Sequence, residues 1–143
     1  NIGAVESQPM KTSTRLMAAL TLTALSAATH AEWREIARFE DNTRIYVDKQ
    51  TAHRDGTIAQ ILHLVRWGEP QTDPGLPPYL STVVRTAYDC AGKKEKYLAS
   101  TSYSGSMGNG ATIIADEDEA EAWSSISEDS MEEKIWKTAC ATD

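Results

Sequence analysis

Arg54-Asp55-Gly56-Thr57-Ile58-Ala59-Gln60-Ile61-Leu62-His63-Leu64-Val65-Arg66-Trp67 joins a turn signal to the longest apolar stretch after residue 31. Asp-Gly favours a tight hairpin because the turn needs positive φ at its centre. The residues after it alternate, with Ala59, Ile61, Val65 and Trp67 on one side and Ile58, Leu62 and Leu64 on the other. A strand that is apolar on both sides must be at least partly covered on both. This predicts a central antiparallel strand entered by a hairpin, so the domain is built around a sheet.

Working outward from it, Arg44-Ile45-Tyr46-Val47-Asp48 is rich in strand formers and precedes the turn, and Trp33 to Phe39 lies before it across the turn cluster Glu40-Asp41-Asn42-Thr43. Gly68 to Pro78 holds Pro70, Pro74, Pro77 and Pro78 and is expected to be an exposed loop, since proline can neither donate regular ladder bonds nor sit inside a helix. Leu80–Asp89 and Lys94–Tyr103 alternate as strands four and five across the turn Ala91-Gly92-Lys93. Asn109-Gly110 signals a further hairpin into Ala111–Ala115, the sixth strand. Ser130-Met131-Glu132-Glu133 matches a capping box, in which the serine takes the Glu133 amide and Glu133 reaches back to residue 130. Met131, Ile135, Trp136, Ala139 and Cys140 then form one apolar helical stripe. The expected fold is α+β, an antiparallel sheet of about six strands with a C-terminal α-helix packed on it.

The chain has 143 residues, 14 Lys+Arg and 21 Asp+Glu, for a formal charge of −7. That is one domain, and too acidic for a nucleic-acid binder. Met10-Lys11 to Arg15 is a basic opening, Leu16–Ser26 an apolar run, and Ala27-Ala28-Thr29-His30-Ala31 a small-residue ending, the pattern of a secretory signal peptide over 10–31 cleaved near Ala31. Residues 1–9 precede the plausible start and read as a non-native or misannotated extension. Residues 32–143 form the expected domain, with 12 basic and 20 acidic side chains and all ten aromatic residues. No cysteine stands near the cleavage site, so no lipid anchor is expected, and the exported chain is placed in the periplasm or at the cell surface. Cys90 and Cys140 are the only cysteines, and in an oxidising compartment their default is a disulfide closing a loop of about 50 residues.

Candidate chemistry is sparse. His53 and His63 are the histidines of the exported part and lack a His-x-x-x-His or cysteine grouping, so no metal site is expected. Gly105 to Gly110 leads into a strand where a phosphate loop would open a helix. Asp116-Glu117-Asp118-Glu119-Ala120-Glu121 lacks the glycine and the closing acid of an EF-hand and reads as a solvated loop. Neither Ser104 nor Ser106 sits in a nucleophile elbow, so no enzymatic activity is expected.

Taken in order, Trp33, Ile45-Tyr46-Val47-Asp48, Trp67 before the Pro-rich loop, Tyr79-Leu80-Ser81, Tyr88-Asp89-Cys90, Met107-Gly108-Asn109-Gly110, Trp123, Ser130 and Ile135-Trp136-Lys137-Thr138-Ala139-Cys140 resemble the surface-adhesin protein E family. The resemblance implies the same sheet, helix and disulfide. It also implies binding of host extracellular-matrix and serum proteins, and of haem. The leading expectation is thus an exported, non-enzymatic, adhesin-like binding module of a Gram-negative envelope. It would meet a host matrix protein or an envelope protein through a sheet face or edge and the loops at 68–78 and 104–110, with Tyr79, Tyr103, Ser104, Gly105 and Ser106 as contacts. Two alternatives accompany it. Ser104-Gly105-Ser106 is loosely similar to the loop that small disulfide-bonded β-domains insert into lysozyme, which gives a periplasmic inhibitor. Haem carriage would use His53 and His63. No cofactor is otherwise expected, and the open strand edges allow two chains to pair as a homodimer.

Overall fold

The computed structural model describes Gly3 and residues 31–141; the extension at 1–9 and the leader lie, apart from Gly3 and Ala31, outside the described residues. Six strands run in sequence order as an antiparallel meander: β1 (Arg34–Arg38), β2 (Arg44–Asp55), β3 (Ile58–Gln71), β4 (Tyr79–Asp89), β5 (Lys94–Tyr103) and β6 (Thr112–Asp116). A two-residue strand, β7 (Ser124–Ser125), pairs with Lys94 and Glu95 at the far end of β5, and α1 (Met131–Cys140) closes the chain.

The β2–β3 hairpin turns at Gly56, whose φ of 62° is the conformation that its Asp-Gly sequence favours. Cross-strand pairs sort the side chains into two faces. On the helix face, Ile45, Val47, Ala59, Ile61 and Tyr88 meet Ile126, Ile135 and Ala139 in the buried core. The disulfide joins Cys90, at the end of β4, to Cys140, at the end of α1, across 5.6 Å between Cα atoms. The Trp136 indole N–H donates to the Asp89 carbonyl (3.0 Å) beside it, so the helix is fixed to the sheet at the same corner by a covalent link and a hydrogen bond.

Three sequence expectations need correction. The strand β3 continues through Pro70 to Gln71, so only 72–78 is loop. Proline is tolerated there because the β3–β4 ladder is interrupted between Arg66 and Gln71. Gly68 occurs in this stretch because the β1–β2 turn lies against it: a Cβ at residue 68 would fall 1.9 Å from the Asp41 carbonyl oxygen. The strand β2 extends past Asp48 to Asp55 through a large bulge, where the Thr51 hydroxyl donates to the Asp48 carbonyl (2.7 Å) and accepts from the Leu62 amide (3.0 Å), replacing the lost ladder bonds. At the start of α1, Ser130 Oγ accepts from the Glu133 amide (3.1 Å), but the Glu133 carboxylate does not return to residue 130. It binds Lys93 and Lys137, which hold it well below the usual carboxylate range, down to about 2.

Candidate binding face

Among the described residues, no helix lies on the face of the sheet opposite α1. Its side chains follow from the register, in rows across the strands: Arg44, Arg66, Ser81 and Tyr103; then Tyr46, Leu64, Val83, Thr101 and Ala115; then Asp48, Leu62, Arg85 and Ala99; then His53, Gln60, Ala87 and Lys96. Apolar groups occupy the middle of this surface and arginines punctuate it.

One loop covers part of it. Ser81, with no exposed surface, donates its hydroxyl to the Gly105 carbonyl (2.6 Å) and accepts from the Gly108 amide (2.9 Å). Within the loop, Gly105 N–H donates to Asn109 O (2.8 Å), and the Ala111 amide donates to Ser104 Oγ (2.9 Å). Gly108, at φ 71°, lays its backbone on the sheet; a Cβ there would stand 3.5 Å from Val83 Cγ2 and 3.6 Å from Leu64 Cδ1. The Gly-rich segment is therefore a strap tied down by a buried serine, and Ser104-Gly105-Ser106 is its half-buried shoulder.

Beside the strap runs a shallow trough made of three depressions. The first, about 430 Å³, lies among Trp33, Val83, Tyr103 and Met107; the second, about 180 Å³, shares Val83 and Tyr103 with it and reaches Leu62 and Arg85; the third, about 290 Å³, shares Leu62 and Arg85 and ends at His53 and Gln60. Leu62, Val83 and Met107 line the trough among polar groups, with the exposed Arg85 at its centre. At one end, the Arg38 hydrogen bond holds Glu35 below the usual carboxylate range, and Arg44 lies 3.6 Å from the same carboxylate with its own Nε buried and unpartnered. Asp48 is buried and accepts from the Gln50 amide. An acidic chain thus presents on this face two arginines, Arg66 and Arg85, that enter no ion pair among the described residues.

Of the predicted contacts, Tyr103 lines the trough and Ser104-Gly105-Ser106 borders it. The Tyr79 hydroxyl donates to Asp73 (3.2 Å) and braces the 72–78 loop. The two histidines are not brought together. His53 is exposed on the trough face, while His63 is 8% exposed on the helix face, where burial lowers its pKa to about 4. One haem iron cannot be held by both through the sheet. Trp33, Leu62, Val83, Arg85 and Met107 complete the trough and were not singled out as contacts from sequence. The alternation of β3 and β4 carries the signal for Leu62, Val83 and Arg85, but that these are left bare depends on where α1 packs.

Among the described residues no group of three His, Cys, Asp or Glu side chains is placed to hold a metal ion, and no helix is long and apolar enough to cross a membrane. The acidic run at 116–121 is partly structural: Asp116 accepts from Tyr97 (2.9 Å), and Glu119 pairs with Lys96.

No curated protein sequence matches the chain. Solved structures do. A crystal form of Haemophilus influenzae protein E superposes with a TM-score of 0.60 at 18% identity, covering 75% of this chain and 87% of that one. Protein E from non-typeable Haemophilus influenzae gives a TM-score of 0.58 at 18% identity, covering 82% of each chain. The family model for surface-adhesin protein E matches residues 33–141, the whole of the sheet and the helix, and the chain belongs to that family.

Proposed function

We propose that the protein is an exported, non-enzymatic binding module of a bacterial envelope, and that it takes its partner on the helix-free face. The observation that carries this reading is the trough itself, lined by Trp33, Leu62, Val83 and Met107 with Arg85 at its centre, and bordered by a strap that a buried serine holds in place. Exposed aromatic, methionine and arginine side chains together are the composition of a protein interface more than of a catalytic cleft. Family membership supports the adhesin-like role and export to the cell surface. Arg66 and Arg85 favour a partner segment with acidic side chains.

The test has two arms. Protease treatment of intact cells is expected to degrade the protein, and the purified protein is expected to bind one or more members of a panel of extracellular-matrix and serum proteins with salt-sensitive affinity. Protection inside the cell together with no binding across the panel would refute the reading.

A further inference from the structure

Away from the trough, on the helix face, a cleft of about 180 Å³ opens between the first turns of α1 and strand β5. Glu95 enters it from β5 and Glu132 from α1, with Tyr97, Met131, Ile135 and Tyr88 as apolar walls and His63 at the bottom. The two carboxylates repel each other: burial and then the Glu132 charge raise the Glu95 pKa, and burial, followed by both charges, raises that of Tyr88. Among the described residues no cation answers them. The neighbouring lysines are placed elsewhere: Lys93 and Lys137 bind Glu133, Lys96 reaches Glu119 from the other face, Lys94 pairs in register with Asp89, and Lys134 is exposed on α1. Asp116 is occupied by the Tyr97 hydroxyl, which leaves the Tyr97 ring as a wall.

A second observation is independent of the acids. His63, which lines the same cleft, is 8% exposed, and its Nδ1 has no hydrogen-bond partner. A buried polar atom without a partner is costly and marks a place where a ligand would supply one. The groups lack the spacing to share a single metal ion. A polyatomic cation can span them, satisfying the acceptors through several N–H donors while an alkyl portion lies on Met131 and Ile135 and the charge meets tyrosine rings.

We propose that this cleft is a binding site for an alkylammonium or guanidinium group, held between Glu95 and Glu132 and closed at the bottom by His63. The site is independent of the trough and goes beyond the binding reading above.

The test is an NMR titration of the protein with n-butylammonium chloride and n-butylguanidinium chloride, with n-butanol as the uncharged control. One or both cations are expected to give saturable shifts at Glu95, Glu132 and Tyr97 and to lower the Glu95 pKa, and n-butanol to give neither. E95Q and E132Q should each weaken binding about fivefold, the scale of one partly exposed ion pair. Without ligand, E132Q should raise Tm, because the repulsion is gone, a result that separates lost binding from lost folding. A capped Gly-Lys-Gly peptide added in parallel distinguishes sources: binding tighter than the alkylammonium assigns the cleft to a side chain of a protein partner, and weaker binding to a free amine. Absence of saturable shifts at tens of millimolar cation, equal binding of n-butanol, wild-type affinity in both glutamine variants, or tighter binding of calcium or zinc than of either organic cation would each overturn the proposal.

Discussion

Acidification should destabilise the domain through His63, and by an amount the structure fixes. The imidazole lies between the sheet and α1, 8% exposed and with Nδ1 unpartnered, so charging it in place is unfavourable. Its pKa is lowered by burial from 6.5 to about 4, while the unfolded chain keeps the ordinary value. Between these values the unfolded state binds the proton and the native state does not. Stability is therefore complete above about pH 6.5 and is lost as pH falls toward 4. At about 1.36 kcal/mol for each tenfold difference in proton affinity, the loss at pH 4 is about 3 kcal/mol. Other groups titrate in the same range, and the raised Glu95 works in the opposite sense, since its protonation favours the folded state. The cleanest assay is therefore a difference. Urea unfolding of the wild type and of H63L, followed by tryptophan fluorescence at about pH 7.5 and pH 4, should show the wild type losing about 3 kcal/mol more than the variant. At the higher pH the two should differ by no more than about 1 kcal/mol, because leucine removes a buried polar atom that has no partner. Equal losses in the two proteins would refute the placement of His63.

Three further outcomes are expected. Reduction of Cys90–Cys140, or the double change to alanine, should remove about 4 kcal/mol, the loop-closure entropy for a separation of 50 residues, measured by urea unfolding with and without reductant. S81A should cost about 1–3 kcal/mol and speed amide exchange across 104–110, since Gly105 O and Gly108 N both lose their partner. Because the Lys93 and Lys137 contacts lower Glu133 from 4.5 to about 2, their contribution is present above pH 4.5 and lost as pH falls toward 2, so E133Q should lower Tm at neutral pH and flatten its acid dependence.

Much of the fold was legible in the sequence because its signals are local. Asp55-Gly56, the alternation through β3 and Ser130 before an apolar stripe each report on neighbours a few residues away and give the sheet and the helix, while two cysteines alone in an exported chain leave each other as partners and give the staple. What was hidden depends on contacts distant in sequence. Pro70 reads as a breaker until the interrupted β3–β4 ladder gives it a place. Ser104-Gly105-Ser106 reads as a projecting loop until Ser81, 24 residues from Gly105, is seen to hold it down. The same is true of the site. The side chains facing away from α1 could be grouped by parity, yet which group remains uncovered is decided by the helix, and the cleft around Glu95 and Glu132 forms only once α1 stands beside β5.

The central claim is that the helix-free face binds the partner. Its most direct test is the affinity of R85E and M107D for the partner identified in the panel, set beside K134E on the exposed side of α1. Reversing the charge at the centre of the trough and placing a carboxylate on the strap should each weaken binding at least tenfold, about 1.4 kcal/mol, with Tm nearly unchanged for R85E and with K134E binding as the wild type does. Wild-type affinity in both trough variants, or a loss confined to K134E, would contradict the account.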